Sequence, residues 1–157
     1  MRHLRGEHEA ALASATEVVD RSRFYRRSGL WAWELYTSLP YALELGYRGR
    51  HTEALDYVGD VLDDNHVPET PGVMTSVVTV LAALAVLRGD DDTAGLLLAH
   101  AGHAIVSTGV RTPVDIALYA HYLRRWGGGD AETAGRNRER ASEMSVADTV
   151  ARGLAGG

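Results

Sequence analysis

A short phrase occurs three times in this sequence, at residues 4–11, 47–54 and 87–94, where it reads Leu-Arg-Gly-Glu-His-Glu-Ala-Ala, Tyr-Arg-Gly-Arg-His-Thr-Glu-Ala and Leu-Arg-Gly-Asp-Asp-Asp-Thr-Ala. Glycine ends a helix in a left-handed conformation at little steric cost, and a small alanine one turn later lets the two helices approach closely. Each phrase therefore predicts a tight corner between antiparallel helices. The corner residues are Gly6, Gly49 and Gly89, followed by Ala11, Ala54 and Ala94. Repeated corners are typical of an all-α solenoid.

Composition narrows the class of protein. The 157 residues are 45% hydrophobic and 24% charged, which is typical of a globular domain. The absence of cysteine excludes disulfides, thiolate zinc sites and a cysteine nucleophile. A formal charge of −5 argues against sequence-independent binding to nucleic acid, which depends on neutralising phosphates. The N-terminus lacks a signal-peptide pattern and the apolar run 77–87 is too short to span a bilayer, so we expect a cytoplasmic protein.

Apolar periodicity and breaker residues predict helices throughout. The first two cover about 7–22 and 30–47, separated by a basic linker at 21–27, and Pro40 is expected to kink or divide the second. Further helices are expected at 52–64, 73–88, 90–107, 113–126 and 132–142, with a short one after Ser145. Thr112 and Ser145 are predicted N-caps, with Asp115 and Asp148 at the third helical positions.

Domain organisation follows from the same pattern. Helical repeats are expected over residues 1–126, and a glycine-rich break with C-terminal capping helices over 127–157. No helix precedes the Gly6 corner, so we expect the N-terminal repeat to be incomplete. An incomplete repeat leaves an apolar helix face open, which predicts coverage by a longer chain or by a second copy in a homo-oligomer.

The spacing resembles that of tetratricopeptide repeats, in which a small residue is followed by glycine seven positions later and alanine five positions after that. Two complete copies fit this pattern, and they consist of Ala42, Gly49 and Ala54, and of Ala82, Gly89 and Ala94. They are 40 residues apart rather than the usual 34 or so. The resemblance implies a tetratricopeptide-like α-solenoid of antiparallel helix pairs.

Residues 80–155 show a narrower resemblance, carried by the run 80–90, by Ala94, Gly109 and Pro113, and by the tail 134–148. These resemble the C-terminal helical region of large ATP-dependent transcriptional regulators of actinobacteria, of the LuxR and antibiotic-regulatory types. The chain has no phosphate-binding loop with lysine and serine or threonine, and no helix-turn-helix. The resemblance therefore implies an interaction and sensing role in transcriptional regulation or signal transduction, without ATP hydrolysis or promoter binding.

The leading hypothesis is a non-enzymatic module that binds a protein or peptide on the concave face of the repeats. The first helix of each pair lines that face in a solenoid, and arginines at its rim would bind acidic groups. The predicted partner-binding residues are Tyr36, Leu39, Leu43, Thr79, Ala83, Arg23, Arg26 and Arg27. Two alternatives remain: a nucleic-acid adaptor acting through residues 21–27 and 136–140, and a small-molecule effector pocket near Trp31 and Trp33.

The sequence contains a few residues that could bind a metal, but no motif for catalysis. His100 and His103 are spaced three apart on one helix and could bind a metal with His121, but the helical wheel places them outside the apolar face. An acidic stripe lacks the spacing of a calcium loop and is interpreted as a solvated helix face. The stripe consists of Asp56, Asp60, Asp63 and Asp64. No nucleophile motif is present, so we expect no enzymatic activity, no cofactor and no metal.

Overall fold

The part of the chain described by the computed structural model is helical. It covers residues 2–27, 31–64, 71–107 and 112–155, and it contains no strand. The side chains of residues 22–27, 31–37, 64 and 71 lie outside this description. The chain divides into an N-terminal unit, Met1–Pro68, and a C-terminal unit, Glu69–Gly157. The expected all-α class is confirmed.

The N-terminal unit contains a 3₁₀ turn, His3–Arg5, and three helices, which are α1 (His8–Arg27), α2 (Trp31–Tyr47) and α3 (His51–Asp64). Helix α2 packs against both α1 and α3. The predicted linker at 21–27 is wrong, because α1 continues through it; no glycine or proline interrupts the helix there. Helix α2 is likewise undivided at Pro40, which lies at an exposed position inside the helix.

The three glycine corners share one backbone geometry. Gly6, Gly49 and Gly89 have φ of 75°, 77° and 77°, in the left-handed region. Each glycine amide donates to the carbonyl three residues back, at 3.0, 3.0 and 3.3 Å, and the next amide donates to the carbonyl five residues back, at 3.2, 3.0 and 3.0 Å. These two bonds satisfy carbonyls that the end of a helix leaves open, in the arrangement known as a Schellman motif.

The alanine that follows each corner also occupies an equivalent backbone position. Its amide donates to the carbonyl of the residue after the glycine, at 2.8 Å for Ala11, 3.0 Å for Ala54 and 2.8 Å for Ala94. Ala54 and Ala94 are fully buried, and Ala11 is partly exposed. The alanines at the second and third corners therefore lie where a larger side chain would meet packed neighbours.

The C-terminal unit contains five helices, α4 (Pro71–Arg88), α5 (Asp91–Ser107), α6 (Pro113–Trp126), α7 (Ala131–Glu143) and α8 (Val146–Leu154). Helix α4 packs against α5, α6 and α8, and every residue from 73 to 85 is buried. Helix α5 packs against α6, α7 and α8. Helix α7 thus packs on α5, and α8 packs on both α4 and α5, within this unit; the division into repeats up to residue 126 and capping helices after it stays a prediction.

Local hydrogen bonds fix where the C-terminal helices begin. The Thr112 hydroxyl accepts from the Asp115 amide at 3.1 Å, and the Ser145 hydroxyl accepts from the Asp148 amide at 3.1 Å. Both predicted N-caps are confirmed. In addition, the Asp130 carboxylate accepts from the Thr133 amide at 2.7 Å, immediately after the positive-φ run at 127–129.

None of the helices in the described part of the chain combines the length and the apolar character that a bilayer span requires.

The corner geometry predicts opposite effects for two glycine-to-alanine changes in the N-terminal unit. Gly49→Ala adds a methyl group that meets no atom within 4 Å, so its cost comes from the left-handed backbone and should be about 1–2 kcal/mol of unfolding free energy. Gly59→Ala, inside α3 and equally free of contacts, should instead stabilise the protein by about 0.5–1 kcal/mol. Urea unfolding of both variants measures the difference. Shifts of the same sign would contradict the corner assignment.

Candidate functional site

Four of the residues predicted to line the partner-binding groove have described side chains, and all four are buried. Leu39, Leu43, Thr79 and Ala83 have relative exposures of 6%, 3%, 1% and 0%. Side chains this deeply packed stabilise the helices and have almost no surface left with which to contact a partner. The other predicted partner-binding residues lie outside the described side chains, and they are Tyr36, Arg23, Arg26 and Arg27; the same holds for Trp31 and Trp33.

The histidines considered as metal ligands, His100, His103 and His121, are not among the groups of close donor atoms found in the described residues. His100 is buried, and its Nδ1 lies 3.2 Å from the Thr149 hydroxyl. His103 is exposed, whereas the ring of His121 contacts Tyr122 edge-on at 4.9 Å between centroids. Within the acidic stripe of α3, the aspartates whose side chains are described are exposed, and they are Asp56, Asp60 and Asp63.

The predicted basic surface on α7 is partly neutralised. Arg136 pairs with Glu132 at 2.6 Å and Arg140 pairs with Asp92 at 3.0 Å. Asp92 also lies 3.4 Å from Arg152, so one carboxylate contacts guanidinium groups of both α7 and α8. This pairing reduces the positive field that nucleic-acid binding through these arginines would require.

The C-terminal unit contains a cavity of about 530 Å³ between α5, α6 and α7. That volume lies in the range of small-molecule binding sites, which are typically apolar with a few polar groups. Its apolar wall consists of Leu98, Ile105, Tyr119, Leu123 and Trp126. Asn137, Arg138 and His103 supply polar groups.

Two glycines on α5 give the cavity its shape. They are Gly95 and Gly102, seven residues apart and therefore on the same helical face. A methyl group on Gly95 would overlap the side-chain nitrogen of Asn137 and would lie 2.7 Å from the Trp126 ring. A methyl group on Gly102 would lie 2.6 Å from the Tyr119 hydroxyl. The bare backbone of α5 thus accommodates the side chains that α6 and α7 direct towards it.

Asn137 is the least satisfied polar group of this cavity. Its side chain is only 4% exposed, and its Nδ2 has no hydrogen-bond partner. A buried amide donor without an acceptor costs about 1–3 kcal/mol. The nitrogen is inaccessible to solvent, so an acceptor of a ligand would reach it after a rotation of the Asn137 side chain, and the new hydrogen bond would remove that cost.

A second cavity of about 470 Å³ lies in the same unit and is lined by His100, Met74, Met144 and neighbouring residues. Burial lowers the pKa of His100 below its ordinary value of 6.5, and the charge of nearby His103 lowers it further. A hydrogen bond to the backbone of Ala141 acts in the opposite direction but does not reverse the shift. The imidazole is therefore neutral in the folded protein at pH 7.

Three side chains of the N-terminal unit form a separate cluster. The Nδ1 atom of His3 lies 2.7 Å from Glu44 Oε1, and the Nδ1 atom of His8 lies 3.3 Å from Glu44 Oε2. Glu44 is 1% exposed, whereas both histidines are partly exposed. The Tyr47 ring stacks on His8 with centroids 3.4 Å apart and planes inclined by 15°. Burial lowers the pKa of His3 below 6.5, although the hydrogen bond to the Glu44 carboxylate opposes the shift.

Neither the cavity nor the His3–His8–Glu44 cluster was predicted from the sequence. His3 and His8 lie close together on either side of the Gly6 corner, and this spacing was the available signal for a pair of histidines. Glu44 is 36 residues beyond His8, and only the packing of α1 on α2 brings it to them.

Comparison of the chain with protein-family models, with curated proteins and with solved structures finds no match. Its function is therefore argued from the geometry of these sites.

The cavity predicts different effects for two glycine substitutions. Gly95→Ala should lower the unfolding free energy by about 1–3 kcal/mol, because the new methyl group overlaps Asn137 and crowds Trp126. Gly135→Ala on α7 is the matched control, since a methyl group there meets no atom within 4 Å; it should raise stability by about 0.5–1 kcal/mol. Chemical denaturation followed by circular dichroism provides the comparison. Equal stability of the two variants would show that α5 and α7 are not packed this closely.

The lowered pKa of His100 predicts a pH-dependent stability. Since the unfolded chain binds a proton at His100 near pH 6.5 and the folded chain binds it only at lower pH, the unfolding free energy should fall as the pH drops below about 6.5. The decline should stop once the pH is below the folded pKa. His100→Gln should have a flatter profile across this window, measured by urea unfolding at a series of pH values. Parallel profiles for the two proteins would refute the assignment.

Proposed function

We propose that this chain is a tetratricopeptide-like helical domain that acts as a non-enzymatic sensor of a small organic ligand. The repeat character is supported by the three glycine corners, which share φ and the same two hydrogen bonds. The helix pairs α2–α3 and α4–α5 are each joined by such a corner and pack together. Stacking of such pairs into a solenoid is part of the proposal.

The single observation that carries the sensor function is the cavity between α5, α6 and α7. It combines a volume of about 530 Å³, an apolar and aromatic wall, and the unpartnered amide nitrogen of buried Asn137. Apolar surroundings with a few polar groups that fix orientation are what small-molecule sites require.

The lining residues define the class of ligand. The rings of Tyr119 and Trp126 favour a flat, largely apolar molecule. The amide nitrogen of Asn137 favours a carbonyl or carboxylate oxygen, and the exposed guanidinium of Arg138 favours a negative charge. We therefore propose an aromatic or polycyclic carboxylic acid, or a related ketone, as the ligand.

We prefer a small-molecule ligand to a partner in the protein or peptide groove, and we place it in the C-terminal unit rather than near Trp31 and Trp33, where the sequence suggested an effector pocket. Four of the predicted groove residues are buried, whereas the cavity is lined by residues that the sequence hypotheses did not use, apart from Arg138 and His103. The suggested relation to the C-terminal part of transcriptional regulators remains a proposal. In that setting the ligand would stabilise one arrangement of α5, α6 and α7 and thereby alter contacts with the rest of a regulator in the cytoplasm.

An anionic aromatic dye tests the cavity directly. The chain should bind 8-anilinonaphthalene-1-sulfonate with one-to-one stoichiometry by calorimetry, because the dye carries both flat rings and a negative charge. Ala134→Trp on α7 places an indole in the cavity and should weaken binding by roughly tenfold or more, equivalent to about 1.4 kcal/mol. Ala131→Trp, at an exposed position of the same helix outside the lining, is the control and should bind normally.

Melting temperatures of both tryptophan variants show whether each is folded. Asn137→Leu should also weaken dye binding, because it removes the amide donor while keeping a similar shape. Binding that is unchanged in Ala134→Trp, or that requires many dye molecules per chain, would overturn the proposal.

A further inference from the structure

We propose that His3, His8 and Glu44 form a binding site for a divalent transition-metal ion of the zinc and ferrous iron class. The site is in the N-terminal unit and is independent of the sensor function proposed for the C-terminal cavity.

The potential ligand atoms of the three residues lie close together in the structure. One ligand atom from each of the three residues lies within 4.8 Å of the others, and the contacts from the imidazole nitrogens to the two carboxylate oxygens are 2.7 and 3.3 Å. Zinc binds nitrogen and oxygen at about 2.0–2.2 Å, so two donors of a tetrahedral site lie roughly 3.4 Å apart. Small side-chain rotations would bring all three donors to a shared ion.

The burial of Glu44 supports a cation at this position. Its carboxylate is 1% exposed, and a buried negative charge is stabilised by pairing or by metal coordination. The nearby guanidinium of Arg48 pairs instead with Glu9 at 2.7 Å. Among the ion pairs recorded for the described residues, those of Glu44 are with the two histidines. A divalent ion held by both imidazoles would neutralise the carboxylate.

The fold holds the three ligands on rigid elements. His3 lies in the 3₁₀ turn, His8 is the first residue of α1, and Glu44 is on α2 four residues before the corner turn. The Gly6 corner joins the two histidines through its pair of backbone hydrogen bonds. The stacked ring of Tyr47 restricts the orientation of His8, as outer-shell contacts do for metal-binding histidines.

The donor set selects the metal class. Two imidazoles and one carboxylate suit zinc, ferrous iron, cobalt and nickel, whereas calcium and magnesium prefer oxygen ligands alone. Three protein ligands leave at least one coordination position for water or an added ligand, as in open zinc sites. His3 and His8 are partly exposed, so this position is reachable from solvent.

The test uses the full chain without a polyhistidine tag, stripped with chelator and titrated with zinc chloride by calorimetry. We expect one ion per chain and a rise in melting temperature with zinc. Cobalt should give visible absorption bands of a four- or five-coordinate site that disappear when zinc is added. Either His8→Gln or Glu44→Gln should weaken binding roughly tenfold or more, a loss comparable to or larger than that from outer-shell mutations.

Glu53→Gln is the control, because it removes an exposed carboxylate of the same unit that is not part of this cluster and should leave the affinity unchanged. His8 is partly exposed, so its variant keeps the test meaningful even if Glu44→Gln fails to fold, which circular dichroism would reveal. The proposal is overturned if zinc does not bind, or if it binds His8→Gln as tightly as the parent protein.

Discussion

The left-handed backbone at Gly6, Gly49 and Gly89 is the constraint on which the rest of the architecture depends. A residue with a β-carbon pays a steric penalty in this conformation, whereas glycine adopts it freely. Each glycine closes one element, and the next begins two residues later; at Gly49 and Gly89 the two helices joined in this way pack against each other. The same corner that reverses the chain at Gly6 also brings His3 and His8 to Glu44.

Two glycines of α5 shape the cavity of the C-terminal unit for a different reason, their lack of a side chain. At Gly95 and Gly102 the backbone has no positive φ; what matters there is the missing side chain, which leaves room for Asn137, Trp126 and Tyr119. The rings of Trp126 and Tyr119 pack against the backbone of α5 at these two glycines and leave the space of the cavity beside them. The result is a packed helical unit with a cleft large enough for a ligand, lined in part by an asparagine whose amide nitrogen has no partner within the protein.

The sequence predicted correctly those structural features that depend on interactions between residues close together in the chain. The caps at Thr112 and Ser145 depend on residues three apart, and both were predicted. The extent of α1 was underestimated, because charged and aromatic residues resemble a linker in composition although nothing in them breaks a helix. The contacts of Glu44 with His3 and His8 span 41 and 36 residues, and no short pattern encodes them. The cavity depends on the packing of three helices, so it too could not be predicted from any short sequence pattern.

The burial of α4 has a consequence for biosynthesis. Its residues from 73 to 85 are all buried, and within the C-terminal unit it packs against α5, α6 and α8, which follow it in the chain. Gly153, near the end of α8, lies directly against Leu81 of α4. Until α6 and α8 have been synthesised, α4 therefore keeps apolar surface in water, and transient shielding by chaperones protects such surfaces from aggregation.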